Sequence, residues 1–283
     1  MLNPREIEEK LNAVKAIESI TVTYQEVSQQ KMNEIREKAL KNRKFIGELA
    51  KLHSAAKSAY LKEEKERRER GEPGEDVFKD KEGEVVVFIS ANARFYGSLI
   101  WKVWRETANY LENREADLVV IGEVGKFLVE NNYEGGSFQY FDLDDDDPNE
   151  EQARKIINHI KKYEKINIFH GEFKNVLTQK AVKTDISGEI SDQSLEETSS
   201  YLFEPSPGKV MEFFTDELIT AFFNQSFLEH RLSRHATRMV AMHQASSNAE
   251  EEIEELKQQK TRTKRQLLDK KQFEITTPYQ LWD

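Results

Sequence analysis

Four groupings in this 283-residue chain have residue types that could carry chemistry. Gly122-Glu123-Val124-Gly125-Lys126 has the look of a phosphate loop, G-x-x-x-x-G-K-[ST]. Only Glu123 and Val124 separate its glycines, and Phe127 stands where a hydroxyl must bind the metal, so a structural turn is expected. The run Asp144 to Asp147 lacks the alternating ligands, the Gly and the distal Glu of a calcium loop, and reads as the solvated start of a helix. His230, His235 and His243 share one segment, yet no pair has the i, i+4 spacing that puts two ligands on one helix face, and no H-E-x-x-H string exists. His235 reads as a packed core histidine. There is no G-x-S-x-G elbow, and the absence of Cys removes thiolate nucleophiles, thiolate metal sites and disulfides. These residues predict no active site, no bound metal and no cofactor.

The rest of the composition narrows the class. A formal net charge of −10 with 33% charged residues argues against non-specific nucleic-acid binding. The start, MLNPREIEEK, is charged throughout and does not read as a signal peptide. No run approaches the roughly 20 apolar residues of a membrane span, so a soluble, cytoplasmic protein is expected, reaching a membrane only through partners.

Two stretches dominate the architecture. From Lys209 to about Lys271 there is neither Gly nor Pro, far beyond the usual helix of about 10–14 residues. Such a helix would be about 90 Å long at about 1.5 Å per residue. Its apolar positions alternate in steps of four and three through Leu228, Leu232, His235, Met239, Met242, Ser246, Ala249, Ile253 and Leu256, the seam of a left-handed coiled coil. The seam then turns polar at Lys260 and Thr263, so a partner helix is expected to reach about Leu256. At the other end, Asn3-Pro4-Arg5-Glu6 opens a helix with a capping box. An apolar stripe follows at Ile7, Leu11, Val14, Ile17, Ile20, Tyr24 and Val27, and a bend is expected at Gly47.

Between these ends the pattern changes. VVVFIS (Val85–Ser90) and LVVIG (Leu118–Gly122) are continuous apolar runs, as in strands buried on both faces. Further strands are expected near Phe138–Leu143, Ile166–Phe173 and Gln179–Ile186, alternating with helices over Gly97–Asn113, Lys126–Glu130 and from Asp144 to Tyr163. The predicted fold is a mixed one. A long antiparallel two-helix coiled coil from both termini carries an inserted small α/β domain with a mostly parallel sheet. The boundaries read as 1–70 for the first helix, 71–83 for a linker, 84–200 for the α/β domain, 201–272 for the second helix and 273–283 for a tail.

Three segments carry a resemblance to a known family. SRHATRMVAMHQASSNA (Ser233–Ala249), YLFEPSP (Tyr201–Pro207) and ITVTYQEVSQQKM (Ile20–Met32) together resemble the gamma subunit of F-type ATP synthases. VVIGEVGKF resembles that family's second strand, and Gly97 matches its turn after the first. The chain departs from the family at Thr23-Tyr24, where Ala-Met is usual, at Arg234, where Glu is usual, and in the tail LLDKKQFEITTPYQLWD.

The resemblance implies a central rotor shaft that couples proton flow to ATP synthesis or hydrolysis and carries no catalytic site of its own. Its implied partners are the alpha and beta subunits, an epsilon subunit and the membrane rotor (c) ring, at the cytoplasmic face of a bacterial membrane. Tyr24, Lys260, Arg262, Lys264, Arg265 and Gln266 are the implied contacts with the alpha/beta ring. Tyr201 and Glu204 are placed by the same resemblance near the foot that meets the rotor ring and epsilon. Leu267, Phe273, Tyr279 and Trp282 are candidate bearing contacts. A shaft uncoupled from a proton channel, or an unrelated coiled-coil adaptor, stands as the alternative.

Overall fold

The computed structural model describes residues 3–71, 81–93, 96–112, 114–187 and 203–276, with side chains to 273 in the last stretch. Two helices dominate it, α1 (Pro4–Glu69) and α5 (Pro207–Thr276). The capping box at the start of α1 is formed: the Asn3 N–H donates to Glu6 Oε2 at 2.9 Å, and the Arg5 N–H donates to Asn3 Oδ1 at 3.4 Å. Gly47, where a bend is expected, does not interrupt the helix. α1 continues through that glycine, where a Cβ would meet nothing and only helix propensity is lost. The chain divides into two compact units, Met1–Gln30 with Arg238–Asp283, and Lys31–Thr237.

The larger unit holds a five-stranded sheet in the order β3-β2-β1-β4-β5. Its strands are β1 (Glu84–Ile89), β2 (Asp117–Ile121), β3 (Phe138–Phe141), β4 (Lys165–Asn175) and β5 (Thr178–Asp185). All neighbours are parallel except β5, which folds back on β4 as an antiparallel hairpin and forms one edge. α2 (Leu99–Leu111), α3 (Glu123–Asn132) and α4 (Glu150–Ile160) connect the parallel strands.

Strand β1 is apolar on both sides because both of its faces are covered. Val86 and Phe88 pack in a cluster with Val103 and Trp104 of α2 and Leu128 of α3. Val85, Val87 and Ile89 pack in another with Ile156 and Ile160 of α4 and with Ile219, Phe223 and Phe227 of α5. The long helix is therefore part of the core of the α/β domain as well as its neighbour in sequence. Within this unit α1 and α5 run antiparallel. Asn42 Nδ2 donates to Ala221 O and Gln225 Oε1, Leu49 packs on Leu218 and Ala221, and His53 lies 3.0 Å from Thr215 Oγ1.

The smaller unit is a two-helix antiparallel pair. Ile7, Leu11 and Val14 of α1 interleave with Ala249, Ile253 and Leu256 of α5, and Glu8 pairs with Lys260 one turn further on. Past Val14 the apolar stripe read from the sequence fails. Ile17, Ile20, Tyr24 and Val27 are 52%, 55%, 43% and 45% exposed, whereas Thr21 and Ser28 are buried. The reason is geometric: a supercoiled seam alternates steps of four and three, so from Val14 it runs through Glu18, Thr21, Gln25 and Ser28. The steps Val14–Ile17–Ile20 repeat three twice and leave the seam. What faces solvent is a second apolar row on the same helix.

Candidate functional site

The sheet changes winding direction between β1 and β4, the point where open α/β sheets leave a crevice at the carboxyl ends of their strands. Here that crevice holds side chains of α5. The Gly171 N–H at β4 donates to His230 Nδ1 at 2.9 Å, and Nε2 of the same ring donates to Ser90 O, after β1, at 3.1 Å. One imidazole thus satisfies a donor on one strand and an acceptor on the next, which requires the neutral Nε2–H tautomer. Desolvation, then the nearby Arg234 and His170, hold its pKa well below the ordinary histidine value. Gly171 suits this close approach, because a Cβ would lie 3.1 Å from both Ser233 Cβ and the Leu99 methyls and would push them outward by a few tenths of an ångström.

One turn along α5 the contacts become ionic. Arg234, wholly buried, pairs through Nη1 with Asp145 Oδ1, and its Nη2 donates to Asp145 O at 3.1 Å. Arg231 donates to Asp146 O, and His235 Nε2 lies 3.2 Å from Asp146 Oδ1. The Arg234 guanidinium sits 5.0 Å from the centre of the Tyr96 ring.

Asp145 is held from the other side by the N–H groups of Asn92 and Ala93 at 2.8–3.0 Å. Asn92 in turn donates to Asp142 Oδ1 and Leu143 O, and its Oδ1 accepts the Glu123 N–H at the start of α3. Asp144 accepts the N–H groups of Asp146 and Asp147, which lowers its carboxyl pKa. Asp144, Asp146 and Asp147 are exposed as expected of a solvated run, but the run precedes the helix rather than starting it, and Asp145 turns inward. α4 begins later, at Glu150, with Asn149 as its cap. Asp145 is nearly buried because Arg234, far away in sequence, needs a counter-charge. Gly122-Glu123-Val124-Gly125-Lys126 is structural: Gly122 adopts φ +98° before α3, and a Cβ on Gly125 would lie 2.6 Å from Ser90 Cβ.

The residues singled out in the sequence fall in several places. Tyr24 is exposed, with the Arg238 guanidinium 5.7 Å from its ring centre. Lys260 pairs with Glu8, while Arg262, Lys264, Arg265 and Gln266 are exposed with no ion-pair partner among the described residues. Of the seam, Leu232, Ala249, Ile253 and Leu256 are buried, and Leu228, Met239 and Met242 are half-buried. Glu204 is exposed, and Leu267 and Phe273 are 45% and 73% exposed. Tyr201, Tyr279 and Trp282 lie outside the described residues. Sequence reasoning missed Asn92, Asp145, Arg231 and Arg234 as a cluster. The one available signal was Arg234 itself, a cation on an otherwise packed stretch. Among the described residues no group of three or more His, Asp or Glu could hold a metal ion, and no helix is long and apolar enough to cross a membrane.

Two long terminal helices around an inserted, mostly parallel sheet are also what the comparisons return. A family model described as ATP synthase matches residues 3–277. The chain belongs to the gamma family of ATP synthases. It is 23% identical to an ATP synthase gamma chain of Cytophaga hutchinsonii, over 96% of each chain. It is 27% identical to a Staphylococcus aureus gamma chain over 53% of this chain and 54% of that one. Among solved structures, it shares its fold with a chain of the Tetrahymena thermophila mitochondrial ATP synthase central stalk and c-ring, at TM-score 0.59 and 18% identity, covering 80% of this chain and 99% of that one. A chain of the Euglena gracilis mitochondrial ATP synthase is similar at TM-score 0.53 and 14% identity, covering 89% and 95%. In this gamma-family chain the loop clamp around Asp145 joins the inserted domain to α5 with charged groups, whereas the sheet beneath it is joined by apolar side chains and by the neutral His230.

The neutral His230 makes a pH prediction. Its folded-state pKa is depressed, so the unfolded chain binds the extra proton, and stability must rise with pH wherever that proton is bound. The contribution is complete above about pH 6.5 and falls by up to about 1.4 kcal/mol per pH unit below it. Buried His170, also depressed by burial, acts in the same direction. Denaturant melts at pH 7.5 and 5.5 should show this loss, in a window where most carboxylates remain ionised. His230→Gln, which keeps an acceptor and a donor, should flatten the slope.

Proposed function

We infer that this protein is the central shaft of an F-type ATP synthase, turning inside a ring of alpha and beta subunits. The observation that carries the reading is the exposed row Ile17, Ile20, Tyr24 and Val27 on a helix pair whose family membership spans residues 3–277. A contiguous apolar row left open to water marks a surface meant for other chains. Arg262, Lys264 and Arg265, exposed on the other helix of the same unit, add a basic surface suited to acidic loops.

The mechanism is coupling by unequal contact. A shaft with an apolar row on one helix and a basic row on the other is asymmetric, so each surrounding catalytic subunit meets a different surface. A subunit's nucleotide affinity shifts only by as much as the shaft's contacts differ between its states, and rotation moves that difference from subunit to subunit. The chemistry of ATP stays with the ring, and the chain itself holds no nucleotide. The α/β domain is the foot, placed to meet an epsilon-type subunit and the membrane rotor ring, with Glu204 on that side. The complex works at the cytoplasmic face of a bacterial membrane, which this subunit reaches through its partners.

Co-expression with alpha and beta subunits tests the reading. The expected result is one copy of this chain per ring, with ATP hydrolysis that requires it. A chain truncated after Lys271 should still assemble but with lower hydrolysis, since it lacks the apolar tip. Recovery of the wild-type chain free of the ring, or ATP turnover by the chain alone, would overturn the proposal.

A further inference from the structure

We propose that the Asn92–Asp145–Arg234 knot is the torque-transmitting joint of the rotor, the place where force on the α/β domain is handed to α5. The inference rests on the shaft reading above and assigns a mechanical role to residues that reading leaves unused.

Three observations support it. The first is convergence. Asn92 follows β1, Glu123 opens α3 after β2, and Asp145 follows β3, and hydrogen bonds join all three loops to one another before Asp145 passes them to Arg234. The carboxyl edge of the sheet is thereby gathered onto one residue of α5. The second is direction. Ile219, Phe223 and Phe227 dock α5 on the sheet by apolar contact, which is strong but non-directional and resists sliding poorly. Arg234 bonds Asp145 through both a side-chain and a main-chain oxygen and also reaches Ser90 O at 3.3 Å, which fixes its register along and around the helix.

The third observation is cost. Buried ion pairs are weak contributors to net stability, and apolar residues of similar volume often do as well or better. This one also leaves Arg234 Nε and the Ser90 and Ser233 hydroxyls buried without a hydrogen-bond partner among the described residues. A junction built for stability alone would be apolar here, as it is about two turns earlier at Phe227. A directional polar lock accepted at that cost fits a part that must not slip under torque.

The test uses the assembled, membrane-reconstituted complex and measures ATP hydrolysis and ATP-driven proton pumping together. With Arg234→Gln, hydrolysis should stay near the wild-type rate while protons pumped per ATP fall several-fold. The deficit should deepen against an imposed proton gradient. Arg234→Lys, which keeps the charge but loses the two-pronged bonding, should fall between, and it serves if Arg234→Gln fails to fold. Because the chain has no cysteine, D146C and H235C can be added to either variant and joined by a short thiol-specific crosslinker. The crosslink should restore pumping per ATP, an effect that a merely destabilised domain would not show. Unchanged coupling in both Arg234 variants, or a deficit that survives crosslinking, overturns the joint. Failure of the unmodified chain to enter the complex overturns the shaft reading instead, and is seen before any variant is compared.

Discussion

Asp145→Ala should destabilise the α/β unit by about 3–5 kcal/mol, because it leaves the guanidinium of Arg234 buried without a counter-charge. Only 1% of the Arg234 side chain and 12% of the Asp145 side chain are exposed, so water cannot take over the carboxylate's role. The same change takes the carboxylate from the part-buried N–H of Asn92, which adds a desolvation cost, whereas the N–H of exposed Ala93 can turn to water. Urea denaturation followed by far-UV circular dichroism would show the shift as a lower midpoint at unchanged slope. The diagnostic companion is Arg234→Met with Asp145→Leu. Removing both charges together should recover much of the loss, since the penalty comes from one unpaired ion rather than from a missing attraction. A double variant no more stable than Asp145→Ala would mean that the cost lies in loop packing and not in charge.

Phe223→Ala should cost a comparable amount, about 3–5 kcal/mol, by a different cause. Phe223 is 1% exposed, contributed by α5 to the core that also contains Val87, Ile89, Ile156 and Ile160. Truncation removes its transfer energy and leaves a cavity that a parallel sheet, bonded on both sides, cannot collapse to fill. Phe223→Leu should recover most of the loss. Hydrogen exchange would locate the damage: protection should fall across β1 and the neighbouring part of α5 together if the two form one cooperative unit. Loss of protection in α5 alone would show that the helix is only draped on the domain.

The elements that were legible in the sequence owe this to periodicity that a single chain carries locally. Val85–Ser90 and Leu118–Gly122 are apolar on both faces and so could only be central strands, and the alternation of strands with helices fixed the sheet as mostly parallel. The helix around Ser233–Ala249 was equally plain, having no Gly or Pro to stop it. What escaped detection was set by partners distant in sequence. The stripe through Ile17, Ile20 and Tyr24 was apolar, but an apolar residue open to water looks the same in a sequence as one facing a core. Only the register of the pairing with Ala249, Ile253 and Leu256 shows that Thr21 and Ser28 hold the seam. Asp144–Asp147 read as uniformly solvated charge, which holds for three of the four, because nothing nearby in the sequence announces that Arg234 draws Asp145 inward. His230 gave no motif at all, since its two partners are main-chain atoms on separate strands.

The antiparallel hairpin at the sheet's edge has one more consequence. β5 is the outermost strand beside β4, with Lys180 and Lys183 exposed along it and Asp185 at its end. A bare strand margin invites a second chain to stitch onto it, and lysines there make such stitching unfavourable. Exposed lysines on this rim therefore work against edge-to-edge aggregation of the chain.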